Sequence, residues 1–439
     1  MTARTRRTLV RTVALAGALS LGLAACSGGG DSGSGSDDAS GGSSGSLTIW
    51  AWEPALTDVV ADFQEDHPDV DIELVNAGTG NDQYTALQNA IAAGSGVPDV
   101  AQIEYYAVPQ FAIGESLTDL TEFGADELDG TFSPGPWNAV HQGEGIYNLP
   151  MDSGPMALFY NAAVFERLGV EVPTTWEEYL QAARDLHAAD PSVYIASDTG
   201  DAGSATSMIW QAGGHPFQVD GTDVTIDFTD EGTQKYTDLW QQMIDEGLLS
   251  DISGWTDEWY QGLGNGTLAT LVVGAWMPAN LESGVAQASG DWRVAEMPQW
   301  EAGDSVTAEN GGSGLSIPAG TQNAELAYEF LQYATAGDGV QTRIDAGAFP
   351  ATVADLESEE FLGKEFEYFG GQKANEILAK SAADVAEGWQ YLPFQVYANS
   401  IFNDTAGQAY VSDTTLQDGL LDWQDKAIAY GNEQGFSVD

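Results

Sequence analysis

The chain predicts an α/β protein built as two lobes. Three observations carry this expectation. Apolar residues alternate over short runs and then recur at helical spacing, in the order strand, helix, strand, helix, strand. A second set of such elements begins near Gly154. The 439-residue chain continues past residue 46 with a length that suits two hydrophobic cores rather than one.

The elements follow in order. Leu47 to Trp52 alternates as a strand, and Pro54 suits the first turn of the helix marked by Leu56, Val59, Val60 and Phe63. His67-Pro68 stops it. Val70, Ile72 and Leu74 alternate as a second strand. Tyr84, Leu87 and Ile91 mark a helix closed by Gly94 and Gly96. Pro98 to Ile103 enters a third strand, ending at Glu104-Tyr105-Tyr106, and the pattern predicts a mostly parallel sheet. In the second region Pro155 to Tyr160 reads as a strand. Asn161 to Leu168 and Trp176 to His187 read as helices, and Tyr236, Trp240 and Met243 share one helix face. Thr270 to Trp276 reads as a strand leading into Pro278 to Glu282, and Leu315 to Pro318 as a strand followed by a loop. Glu325 to Thr335 is a helix with Leu326, Phe330 and Leu331 inward. Leu416, Leu420, Trp423 and Ala427 mark a late helix. No clean linker appears after residue 46, so the lobes are expected to exchange chain more than once.

The first residues read differently. Arg4, Arg6, Arg7 and Arg11 precede an uncharged run, Val13 to Ala25, which is well short of the ~20 residues a spanning helix needs. A positive leader, a short apolar core and small residues before a cut describe an export signal, residues 1–25. Arg6-Arg7 leaves both the general and the twin-arginine export route open. Leu23-Ala24-Ala25-Cys26 resembles the bacterial lipoprotein processing box, which implies a diacylglyceryl thioether on Cys26 as the membrane anchor. Two acyl chains hold a protein where one barely does. Cys26 is the sole cysteine, so no disulfide can staple the fold. Residues 26–46 are nearly all Gly, Ser and Asp, a flexible tether reaching roughly 25 Å.

Charge excludes one class of partner. Without the four leader arginines, nine Lys and Arg remain against 67 Asp and Glu, a formal charge near −58. Nucleic acid requires a basic face. The bland reading is a heavily solvated acidic surface of the kind found in salt-adapted organisms. The histidines are scattered, no metal-ligand spacing appears, and there is no phosphate-cradling loop or nucleophile elbow. Asp220 to Asp227 is superficially like a calcium loop and reads as a turn between short strands. No catalytic residue, metal or cofactor is therefore assigned.

The segment Leu149 to Gly169, with its apolar strand ending in Tyr160-Asn161, resembles the family-1 extracellular solute-binding proteins of ATP-driven importers, to which maltose-binding protein belongs. Pro173-Thr174-Thr175-Trp176-Glu177-Glu178 supplies the turn that follows in that family. Leu47 to Trp52, Gly96 to Val100, Gly266 to Trp276 and Gly312 to Pro318 are similar to four further blocks, in order. Thr267 stands where the family usually has lysine. The resemblance implies a periplasmic-binding-protein-like fold (type II, cluster-D-like) with a ligand cleft and hinge. Residues 47–153 plus 312–352 would form one lobe and 154–311 plus 353–439 the other. It also implies a permease as partner, a monomer, and a site on the outer face of a Gram-positive, actinobacterial membrane.

Ligands of such folds bind at the carboxyl ends of the strands and at the lobe interface. That places Trp52, Glu53, Glu104, Tyr105, Asp152, Trp276, Asn310 and Gly312 as candidates. Arg343 lies beside a loop the family brings to the cleft. Trp210, Trp255 and Trp389 are aromatic candidates near helix ends and loops. Sugars need aromatic faces for their C–H sides and polar partners for their hydroxyls. Thirteen Trp and 16 Tyr, several beside carboxylates, meet that need and point to a di- or oligosaccharide, with a lean toward β-linked, plant-derived chains. The alternatives are a binding protein for a non-sugar solute and a secreted glycoside hydrolase. Turnover of a bound glycan would separate the hydrolase from either binder.

Overall fold

The first sheet follows from three strand segments joined by helices. In the computed structural model, which describes residues 44–439, Gly45–Trp50 lies between Val70–Val75 and Val100–Glu104, parallel to both. Right-handed helical crossovers make such strands parallel. The helix Leu56–Asp66 buries Leu56, Val59, Val60 and Phe63. It ends where the His67 ring stacks on Phe63 at 4.2 Å, one residue before Pro68. The helix Asn81–Ala93 ends at Gly94, whose φ of +63° needs no Cβ. Signal and anchor, including Cys26, lie outside the described residues. Gly45 and Ser46 were expected in the tether but pair with Val70 and Asp71. Their backbone groups, not their side chains, make that pairing.

Two further strands complete this sheet. Ser313–Ser316 inserts between Val100–Glu104 and Leu149–Pro150 and runs antiparallel to each. It arrives from the second lobe, so it enters the sheet from the opposite end. The expected mostly parallel arrangement therefore holds here with one reversed strand. It does not extend to the second lobe. There Met156–Asn161 is the centre of a three-stranded sheet, and both Thr270–Gly274 and Trp292–Ala295 run antiparallel to it. Met156–Asn161 runs away from the lobe junction, whereas Thr270–Gly274 runs back and delivers Trp276 to it.

Separate apolar cores fill the two lobes. Leu47, Ile49, Phe63, Val100, Leu315 and Phe330 pack in the first. Trp176, Tyr179, Trp210, Trp240 and Trp423 pack in the second, beside a further cluster of Phe159, Met277, Trp292 and Phe369. The Trp176 helix (Trp176–Ala189) starts with a reciprocal cap between Thr175 and Glu178. Residues 217–226 form the expected hairpin, Phe217–Asp220 against Asp223–Ile226. Two of the segments on which the chain crosses between lobes lie side by side. Asp152 N–H donates to Ser313 O, Asn310 N–H to Gly154 O at 2.8 Å, and Met156 N–H to Ala308 O. A Cβ at Gly154 would collide with the Asn310 carbonyl, so this approach requires glycine. Tyr391 packs against the cores of both lobes.

Candidate functional site

The first-lobe wall is assembled by one buried amide. Gln102 lies on the third strand, 2% exposed. Its Oε1 accepts the N–H groups of Trp52 (3.0 Å) and Glu53 (3.1 Å), and its Nε2 donates to Ser313 Oγ at 3.0 Å. Thus one side chain ties together the ends of three strands. Glu53 in turn holds Arg343, whose Nε lies 3.3 Å from both carboxylate oxygens. Arg343 Nη1 also donates to Met151 O at 2.5 Å. Arg343 is 1% exposed, so it braces the wall from behind, with Nη2 left unpartnered.

Glu104 ends the third strand. Its Oε2 accepts from the Tyr84 hydroxyl at 2.9 Å, and its own N–H donates to the same hydroxyl oxygen. The Tyr106 hydroxyl is a second side-chain partner. Burial pushes the Glu104 carboxyl up, the tyrosine bonds oppose this, and Asp201 of the second lobe adds to the rise. The Asp201 charge therefore bears on Glu104 from the second lobe. Tyr105 points the other way. It is fully buried, and its hydroxyl donates to Asp152 O at 2.5 Å. Gly312 lies against that ring, where a Cβ would come within 2.6 Å. Tyr105 and Gly312 form the support beneath the floor.

The floor is the crossing segments. Asp152 Oδ1 accepts the Ser313 N–H at 2.5 Å. Burial and the nearby Glu53 charge push its carboxyl up to about 7 against the pull of Arg343. Glu309 Oε1 accepts from Ser153 Oγ at 3.0 Å and from Gly154 N–H at 2.5 Å, while Oε2 has no partner. Burial, with Asp152 adding, pushes Glu309 up to about 7. The Trp276 indole donates to Asn310 O at 2.8 Å, which fixes its ring at the floor's edge.

The second-lobe wall is aromatic. Trp210 and Trp389 stack at 4.6 Å and 23°, and Tyr391 stands edge-on to each at 5.3 Å. Tyr391 meets Tyr106 of the first lobe at 6.5 Å. From there the rings continue through Tyr84 to Trp52, at 6.2 and 6.3 Å. Trp210 is 2% exposed with an unpartnered indole N–H. Trp255 and Trp259 join Trp276 in a second group, at 5.6 Å from Trp255 to Trp276 and 5.1 Å from Trp255 to Trp259.

The sequence candidates thus fall into three sets. Trp52, Glu53, Glu104 and Arg343 share the first-lobe wall. Asp152 and Asn310 lie on the crossing segments, underlain by Tyr105 and Gly312. Trp210 and Trp389 form one aromatic group, Trp255 and Trp276 another. Tyr391, Tyr84, Gln102 and Glu309 were not among the candidates. Tyr391 stands two residues from Trp389, and that spacing was the one local signal for it. An open depression of about 590 Å³ near Asp220, Asp223 and Asp439 contains none of these residues. Among the described residues no cluster of metal-ligating side chains occurs, and no helix is long and apolar enough to cross a membrane.

Residues 50–341 match the sequence profile of the bacterial extracellular solute-binding protein family, and the chain belongs to that family. A solved structure of an ABC-transporter-associated binding protein from B. animalis subsp. lactis, in complex with β-1,6-galactobiose, is 43% identical. It aligns over 90% of this chain and 100% of its own, with a TM-score of 0.83. The galacto-N-biose/lacto-N-biose I-binding protein from Bifidobacterium longum, in complex with lacto-N-biose, is 26% identical with a TM-score of 0.79, covering 91% of this chain and 100% of its own. The arabinooligosaccharide-binding protein of Halalkalibacterium halodurans is 25% identical over 80% of this chain and 81% of its own length. The fold is the two-lobed α/β fold of such binding proteins.

Proposed function

We propose that this chain is the substrate-binding lipoprotein of an ABC sugar importer, capturing a di- or oligosaccharide and delivering it to the permease. One observation carries the reading. Tyr84 and Tyr106 of the first lobe and Tyr391 of the second meet beside the carboxylate of Glu104, which is the pairing a pyranose requires: a flat apolar cover and an acceptor for its hydroxyls. The similar proteins support it, since one holds β-1,6-galactobiose, another lacto-N-biose, and a third is named for arabinooligosaccharides. The β-1,6-galactobiose held by the first of these favours the β-linked reading of the ligand. Binding would close the lobes through contacts made only in the closed state.

The finer parts of the proposal concern place. Cys26 would carry the lipid that keeps a monomer on the outer face of a Gram-positive, actinobacterial membrane. Titration calorimetry with β-1,6-galactobiose, lacto-N-biose, lactose and arabinooligosaccharides tests the function. Saturable binding without any hydrolysis product is expected. A melting temperature unmoved by every one of these sugars would overturn it. A Cys26→Ser variant should be released from membranes with its sugar affinity intact.

A further inference from the structure

Trp255 is doubly out of place for a residue with only a packing role. Its indole is 56% exposed, whereas Trp259 beside it is 5% exposed. Its backbone is left-handed, with φ of +65°, a conformation that disfavours any side chain with a Cβ and is usually left to Gly or Asn. A loop that needed only this turn would be served better by glycine. What the conformation achieves is position. It lays the exposed ring against Trp276 at 5.6 Å and 35° and against Trp259 at 5.1 Å. Trp276 is pinned to the floor by its bond to Asn310 O, and Trp259 is anchored in the second-lobe core. The helix Asp257–Asn265, capped by Thr256 onto the Trp259 N–H, fixes the segment from the other side. The indoles run from Trp276 at the crossing segments through Trp255 to Trp259, and exposure is greatest at the middle ring, Trp255.

We propose that Trp255 is an outer sugar platform, which extends the site past a disaccharide to a third and later pyranose or furanose unit. The proposal rests on the saccharide reading above and adds a length preference to it. The inner units would lie between the floor and the Trp210–Trp389–Tyr391 group. The next unit would leave the junction across Trp276 and present its C–H face to Trp255, where one hydroxyl side stays in water. An open platform of this kind adds affinity through ring contact without demanding buried hydroxyl partners.

The test is a size series of β-1,6-galactooligosaccharides and one of arabinooligosaccharides, each with two, three and four units, titrated against wild type, Trp255→Ala and Trp255→Gly. Glycine keeps the left-handed backbone, so it separates loss of the indole from loss of the turn. In at least one series, wild type should bind the trimer about tenfold more tightly than the dimer, the size of one aromatic contact. Both variants should leave the dimer within twofold and bring the trimer to the dimer's level. Equal weakening of dimer and trimer would make Trp255 an inner contact and overturn the proposal. No weakening of the trimer in Trp255→Gly would overturn it too. If wild type binds no member of either series, the saccharide reading itself falls, which is a distinct result.

Discussion

The two walls of the junction commit their side chains in opposite ways. On the first-lobe wall the polar groups are already held by protein partners: Glu53 by Arg343, Glu104 by Tyr84, and the neighbouring Asp152 by the Ser313 amide. On the second-lobe wall the rings mostly hold one another, and the Trp210 N–H holds nothing. The first wall is thus a preformed frame, and its groups bear on stability and on pH. On the second wall Trp210 is buried, while Trp389 and Tyr391 are half-buried, and under the proposed function those two rings should bear on affinity. Preformed acceptors spare a ligand the cost of ordering them, and flat rings supply contact area with little side-chain entropy to lose.

The largest effect should come from breaking the frame. Arg343→Met leaves Glu53 unpaired and Met151 O without its donor, which should cost about 3–5 kcal/mol of stability. Urea unfolding measures it, and a loss below about 1 kcal/mol would remove the distinction between the walls. Trp389→Ala attacks the other wall. It removes the face that stacks on Trp210 and should weaken β-1,6-galactobiose binding by about 2 kcal/mol, roughly thirtyfold. Its unfolding midpoint should move less than that of Arg343→Met. If stability falls more than affinity, the aromatic wall is structural.

A smaller effect sharpens the comparison through pH. Asp152 and Glu309 are both raised to about 7 in the folded chain. Between about pH 4 and 7 the folded state therefore holds protons that the unfolded state has released. Their contribution to stability is full below about pH 4 and is lost as pH rises toward 7. Melting temperatures measured across that range should fall with rising pH more steeply in wild type than in Asp152→Asn or Glu309→Gln. Equal slopes would show that the floor carboxylates do not hold those protons. The smallest effect is a control far from both walls. Thr175→Ala removes the reciprocal cap of the Trp176 helix and should cost about 1 kcal/mol, with sugar affinity unchanged by calorimetry.

Much of the fold was legible because it rests on local pattern. The alternation at Val70, Ile72 and Leu74, the helix stop at His67-Pro68 and the turn within residues 220–227 all report short-range preferences. Strand direction in the second lobe was not legible, since nothing local in Thr270–Gly274 says which way its neighbour runs. The site shows the same division. Trp52, Glu53 and Glu104 stand at strand ends and could be nominated from the strands alone. Tyr391 and Glu309 sit in segments without periodicity. Tyr105 and Tyr106 are adjacent in sequence, yet one supports the floor and the other reaches the opposite lobe.

The sequence by itself determined the order of elements, the acidic balance and the stock of indoles and carboxylates. These are properties of composition and of near neighbours. Tertiary structure alone decided which of those groups meet. Glu53 and Arg343 are 290 residues apart, and Trp389 reaches Trp210 from a loop near the far end of the chain. Such pairings depend on the crossing segments that bring separate cores edge to edge, and side-chain burial, partners and proton affinity follow from that approach.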